Sequence, residues 1–278
     1  MTPEEARQAF ATAIDAAADA IDLARAALYL AAEEYPALDV EAYVRRLETL
    51  AHDVAELPLE TPAPLGRLLN LSRYLFAEQG FGGNTRAYYD PRNSFLNEVL
   101  DRRTGIPIAL AAVYLEVGWR LGLPLAGVGL PGHFLVGYYP PYQAQYVDVF
   151  NQGRMIGRED CIVMLRGMFG GGFVFHEEHL APVDKRQILT RMLTNLKQIY
   201  SQQEDWPRAL AVVERLLLLQ PDHPPELRDR GLLHFRRGDF RKAHADLERY
   251  TQLAPAANDL PAIREQMAFI WKLLAMRN

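Results

Sequence analysis

Two short stretches hold the residue types that do acid–base chemistry. His133 lies in P-G-H-F-L-V and Asp148 in Y-V-D-V-F, each in a run with strand character. A carboxylate behind an imidazole fixes its tautomer and favours its charged form, the arrangement that serves a nucleophile. Whether the two meet depends on the turn between them. An even number of turn residues, centred near Pro140–Pro141 or slightly later, sets them opposite or diagonally opposite on one sheet face, and an odd number separates them. The plainer reading is a buried histidine and aspartate that satisfy one another. A nucleophile for such a pair is expected at the start of the buried helix that opens G-I-P-I-A-L-A, and Pro107 stands there.

Other residues compete for the nucleophile's role. Cys161, the single thiol, sits inside I-G-R-E-D-C-I-V-M-L, where apolar neighbours suggest packing. Ser94 precedes a short helix and serves there either as a cap or as a hydroxyl nucleophile. It belongs to a polar cluster of Asp90, Arg92, Asn93, Ser94 and Asn97. If Asn93 or Ser94 caps the helix, Arg92 and Asn97 are left for a ligand or for Asp148. These four, Arg92, Asn93, Ser94 and Asn97, are the expected binding residues; the alternative is a hydrogen-bonded loop closing the sheet edge. Tyr88, Tyr89, Tyr138, Tyr139 and Tyr142 are candidates for lining a cleft or for ordinary half-buried packing. The H-E-E-H run at His176 and His179 has its histidines three apart, not the four of a zinc helix, so both read as surface residues and no metal is expected. The G-G-G run at 170–172 lacks the Lys-Ser/Thr of a phosphate loop.

These residues must be positioned by the elements around them. Residues 3–34 are alanine-rich with Phe10, Ile14, Ile21 and Leu28 at helical spacing, which predicts one helix ended by Pro36. A second starts at Asp39, and T-P-A-P at 61–64 introduces a third. The G-F-G-G-N-T stretch at 80–85 reads as a flexible loop. The short helix after Ser94 is expected to end near Gly105 in left-handed backbone, and the next to run from Pro107 to Gly122. Between Leu125 and Phe150 the pattern turns to strands, forming a small antiparallel sheet beside the buried helix. A further helix is expected over 158–168, then a loop at 169–173.

Beyond Pro182 the sequence is helical, and it repeats. Trp206, Ala209 and Pro221 recur thirty-four residues later as Phe240, Ala243 and Pro255, with Asp205 echoed by Asp239. That period is the signature of the tetratricopeptide helical hairpin, in which the alanine lets two helices approach. The second copy matches well at Gly231 and Gly238; in the first, Lys197 and Glu204 hold those positions. Two repeats and a capping helix, Pro261 to Met276, are expected.

Composition bounds the class. The 278 residues are 49% hydrophobic and 23% charged, with a net charge of -5, an ordinary folded composition of about two domains. Basic residues come as doublets rather than as a stripe that tracks phosphates, so nucleic acid is not an expected partner. One cysteine points to a reducing compartment. Acids and alanines at the N-terminus argue against a secretory signal, and no run reaches membrane-spanning length, so neither membrane insertion nor export is expected, and the cytoplasm is.

The order G-I-P-I-A-L-A, R-L-G-L-P, His133 and V-D148 resembles the core of the transglutaminase-like superfamily, whose pattern is G-x-C at a helix start, R-x-x-G-I-P at its end, a strand His and a strand Asp. D-P-R-N-S-F-L, R-R-T-G-I-P and P-G-H-F-L-V, with the tetratricopeptide tail, resemble its SirB-type branch over nearly the whole chain. The resemblance implies an α+β fold: a papain-like core of helices on a small antiparallel sheet, then an all-α tetratricopeptide segment, divided as 1–184 and 185–278. It implies acyl transfer or hydrolysis by Cys, His and Asp without a cofactor, with His133 as base and Asp148 as its orienter. The cysteine position is Pro107. Proline suits a helix's first turn but carries no nucleophile, and loss of the nucleophile from such a set costs on the order of 10⁶ in rate. Three functions remain in play. One is a non-catalytic protein that binds a peptide or protein partner. Another is an unconventional hydrolase or acyl-transfer enzyme in which Ser94, Cys161 or an activated water joins His133 and Asp148. The third is a structural module whose tail docks on its own core.

Overall fold

A computed structural model describes residues 1–276 and divides the chain into two compact units, Met1–Met192 and Leu193–Asn278. The first unit opens with α1 (Pro3–Ile14), whose N-terminus is closed by a reciprocal pair: Thr2 Oγ1 accepts from the Glu5 N–H and Glu5 accepts from the Thr2 N–H. A separate helix, α2 (Leu23–Ala32), follows. The single helix expected over 3–34 is therefore two. Asp22 explains the break, because its carboxylate accepts from the Arg25 N–H at 3.0 Å and begins a new helix instead of continuing an old one. Helix α3 (Val40–Ala55) is capped the same way by Asp39, and α4 (Leu65–Ser72) runs into a π-helical turn over Arg73–Glu78.

The 80–85 segment is not only a loop. Its strand β1 (Gly82–Gly83) pairs in parallel with β2 (Thr104–Gly105), on either side of α5 (Leu96–Arg102). Helix α5 ends in left-handed backbone at Arg103 (φ 56°), not at Gly105. Gly105 is needed for space instead, since a Cβ there would lie 2.9 Å from Val99. Helix α6 (Pro107–Arg120) is buried from Pro107 through Gly118, which is why its sequence is apolar on every side.

The sheet follows as β3 (Leu125–Val128), β4 (Leu135–Tyr138), β5 (Gln145–Asp148) and β6 (Arg154–Ile156), then helix α7 (Arg158–Phe169) and strand β7 (Pro182–Val183). Its order is β6-β5-β4-β3-β7, every neighbour antiparallel. Helix α6 packs so closely on one face that a Cβ on Gly118 would sit 2.3 Å from Leu125. The other face carries Val128, Leu135 and Tyr146, which form a core with Cys161 and Leu165 of α7. Helix α8 (Lys185–Gln202) then begins the helical tail.

In the second unit come α9 (Trp206–Leu219), α10 (Pro224–Arg236), α11 (Phe240–Leu253) and α12 (Leu260–Met276). Trp206 and Phe240 are the first residues of α9 and α11, each behind an aspartate cap position. The repeat's small residues have a spatial reason: a Cβ on Gly231 would lie 2.8 Å from Leu247 and 3.2 Å from the Ala243 carbonyl. In the first copy Lys197 takes that position and reaches Glu226 at 2.7 Å and Asp229 at 3.0 Å.

Candidate functional site

The segment Leu130–His133 delivers the histidine. Leu130 O accepts from the His133 N–H at 3.1 Å, with Pro131 second and Gly132 (φ 72°) third, the residue order of a type II turn. Strand pairing then sets the register: Val136 faces Val147 and Tyr138 faces Gln145, so Leu135 stands opposite Asp148 and His133 lies diagonally across. His133 Nε2 meets Asp148 Oδ1 at 2.9 Å. Both are buried, His133 at 6% exposure and Asp148 at 3%.

Asp148 has a second partner that sequence reading missed. Asn151 donates its side-chain amide to Oδ2 at 2.7 Å and its backbone N–H to Oδ1 at 3.3 Å. An Asn three residues after an Asp, followed by Gln-Gly, was the available signal for such a local turn. Burial raises the Asp148 pKa, but the hydrogen bonds from His133 and then Asn151 outweigh it and hold the carboxyl below the usual range. Asp148 is thus an ionised acceptor, which places the imidazole proton on Nε2. His133 Nδ1 makes no hydrogen bond among the described residues. The Phe150 ring stands edge-on to the imidazole, centroids 6.2 Å apart, and Tyr88 stands edge-on to Phe150 at 6.0 Å.

Among the described residues, none of the expected nucleophiles hydrogen-bonds this pair. Pro107 is the first residue of α6, and its N-cap, Ile106, supplies no side-chain bond. Cys161 is fully buried in the α7 core, its thiol pushed up to about 11 by burial and then by Asp160 and Asp148. Ser94 Oγ is buried with no hydrogen-bond partner among the described residues.

The polar cluster divides into separate jobs. Arg92 folds back on Asp90 at 2.7 Å, while Asp90 Oδ1 accepts from the Arg92 N–H, so Arg92 is not a partner of Asp148. Asn93 is consumed by the loop: its amide donates to the carbonyls of Ala87 and Tyr88, its Oδ1 accepts from Asn84, and its carbonyl accepts from the Ile106 N–H. Neither Asn93 nor Ser94 caps α5; the cap position is Phe95, and no side chain bonds there. Aromatic packing explains this, since Phe95 is buried edge-on to Tyr35 and fixes the chain's entry. Asn97 Oδ1 is buried and unpartnered, like Ser94 Oγ. Of the tyrosines, only Tyr88 approaches the histidine through Phe150; Tyr138 and Tyr142 line a separate groove of about 350 Å³ with Pro62, Pro64 and Pro141. His176 donates its backbone N–H to His179 Nδ1, and among the described residues no group of three or more His, Cys, Asp or Glu gathers to hold a metal.

Fold and site together define a papain-like core that keeps a buried imidazole–carboxylate pair without a thiol beside it, followed by tetratricopeptide hairpins. The model of the transglutaminase-like superfamily matches residues 41–194, and a tetratricopeptide repeat model matches 196–268. A UPF0162 protein of Xylella fastidiosa (strain 9a5c) is 39% identical over 257 residues, 88% of this chain and 89% of its own. UPF0162 protein YchA of Escherichia coli (strain K12) and protein SirB1 of Salmonella typhimurium are each 27% identical over 84% of this chain and 86% of theirs. The chain belongs to the UPF0162 family of the transglutaminase-like superfamily. Among the described residues no helix is long and apolar enough to cross a membrane.

Proposed function

We propose that this protein works in the cytoplasm as a non-catalytic binding protein for a peptide or protein partner, its tail presenting the contact surface and its core keeping the remnant of a hydrolytic site. The observation that carries this reading is that, among the described residues, no thiol or hydroxyl hydrogen-bonds His133: Pro107 has none, Cys161 is buried in the core, and Ser94 Oγ has no partner. Tetratricopeptide hairpins that hold polypeptide partners support the same view. The test is affinity capture with the intact chain, identification of the bound polypeptide, and remeasurement with that polypeptide purified. Substitutions around Trp206 and Phe240 are expected to abolish binding, and His133→Ala to leave it largely intact. Binding indifferent to the tail substitutions overturns the reading.

A second reading, a hydrolase that activates water, draws on the open Nδ1 of a histidine held by Asp148 and Asn151. It predicts acyl-ester hydrolysis that disappears in His133→Ala. Equal background rates for both proteins remove it.

A further inference from the structure

Arg191, on α8 within the first unit, is half-buried, yet it pairs with no carboxylate among the described residues. Its single hydrogen bond is a long one, from Nη2 to the Leu130 carbonyl at 3.5 Å. A guanidinium drawn partly out of water normally has an anion or several carbonyls to compensate it. The carbonyl it touches is the one that accepts from the His133 backbone N–H. Arg191 therefore stands at the turn that delivers the unpartnered Nδ1. Its charge also acts on the Tyr88 hydroxyl, whose pKa burial raises and Arg191 lowers. Tyr88, Phe150 and His133 form a row of edge-on rings leading from the 36%-exposed Tyr88 to the buried imidazole.

We propose that Arg191 and His133 form a binding site for the C-terminus of a polypeptide, Arg191 taking the terminal carboxylate and His133 Nδ1 accepting the last amide N–H. The donor and acceptor roles follow from the site. In the tautomer that Asp148 fixes, the proton sits on Nε2, and Nδ1 is a lone-pair acceptor, which would repel a carboxylate and suits an N–H. Arg191 offers only donors, in a planar fork that matches a carboxylate. A terminal residue carries both groups on one Cα, and its side chain meets the Phe150 and Tyr88 rings. Free acids without an amide lack the group for Nδ1, and internal peptide segments lack the carboxylate. The proposal rests on the polypeptide-binding reading above and gives the core a weak auxiliary contact, so that most of the partner's affinity stays with the tail and survives His133→Ala.

The probe is N-acetyl-L-phenylalanine, the smallest molecule with the amide, the carboxylate and an aromatic side chain. It is titrated into the intact ¹⁵N-histidine-labelled protein, with the His133 signal assigned from its loss in His133→Gln. Saturable movement of the His133 Nδ1 resonance is expected at about 1 mM, the range open to a ligand of this size. N-acetyl-L-phenylalaninamide, without the charge, is expected to bind at least about tenfold more weakly. 3-Phenylpropionate, without the N–H, is expected to be weaker as well. Arg191→Met is expected to lose the response while melting close to the parent protein, because the guanidinium gives up no ion pair and only one long hydrogen bond, to the Leu130 carbonyl. Any of three results overturns the proposal: no His133 response to about 10 mM, binding of the amide as tight as the acid, or retained binding in Arg191→Met. A large fall in melting temperature for Arg191→Met also counts against it, since that assigns the residue a structural role. Loss of this site with tail-dependent partner binding intact leaves the broader reading standing, so the two failures are distinguishable.

Discussion

Asn151 holds Asp148 by two hydrogen bonds while His133 holds it by one, so the carboxylate is an orienting group that is itself oriented. All three residues lie within one hairpin and the turn that follows it. The imidazole's direction is set there, independently of whether a nucleophile exists. The geometry that positions the imidazole is a property of strand register and one asparagine.

Removing that asparagine has a measurable cost. Asn151→Ala leaves a buried carboxylate short of a charged hydrogen bond, for an expected destabilisation of about 1.5–3 kcal/mol in urea at pH 7. The pH dependence has a definite sign. Because the Asp148 pKa is depressed in the folded state, its contribution is present above the unfolded carboxylate value of about 4 and is lost as pH falls through the folded value. Asn151→Ala raises that folded value, so acid unfolding is expected to begin at higher pH. An acid transition unchanged from the parent protein refutes the assignment.

Cys161 is expected to be inert. A thiol pushed to about 11 and without exposed surface presents roughly one thiolate in a thousand at pH 8. Ellman's reagent is expected to leave the native protein unmodified and to titrate one thiol in denaturant. Rapid native labelling would restore it as a candidate nucleophile.

Gly83 controls Phe150, the ring against His133. A Cβ on Gly83 would lie 2.4 Å from the Phe150 ring, whereas one on Gly82 has Gln152 as its nearest neighbour at 3.9 Å. Gly83→Ala is expected to cost about 1–3 kcal/mol and to shift the His133 side-chain resonances. Gly82→Ala is the matched control and leaves those resonances in place. Equal effects of the two would show that ring contact does not govern the site.

In the tail, Glu204 and Gly238 occupy the same left-handed corner of successive hairpins, at φ 56° and 78°. Glycine adopts that backbone freely and glutamate does not. Glu204→Gly is expected to stabilise the chain by about 1 kcal/mol and Gly238→Ala to destabilise it by a similar amount. Chemical denaturation of the two variants decides it, and a destabilised Glu204→Gly would mean that the glutamate side chain makes a compensating interaction.

Much of this architecture was legible in advance where the signal is local. The uniformly apolar run after Pro107 meant burial on every side, and the thirty-four-residue spacing of Trp206 and Phe240 meant stacked hairpins. Local signals also misled. Alanine's helical preference hid the break at Asp22, where one carboxylate starts a new helix. Ser94 has a cap's composition but lies beside the cap position, because the packing of Phe95 on Tyr35 decided where α5 begins.

The amino-acid order by itself determined that a histidine and an aspartate lie in neighbouring strand-like runs and that Pro107, not a cysteine, stands at the expected helix start, since residue identity and spacing are written directly in it. Tertiary structure alone decided that Asn151 completes the pair, that neither Cys161 nor Ser94 hydrogen-bonds it among the described residues, that Gly82–Gly83 pairs with Thr104–Gly105, and that Arg191 stands without a carboxylate partner beside the His133 turn. The reason is physical. A hydrogen bond or a steric limit between residues far apart in the chain depends on the position of both backbones, and no stretch of sequence holds that position until the core has packed.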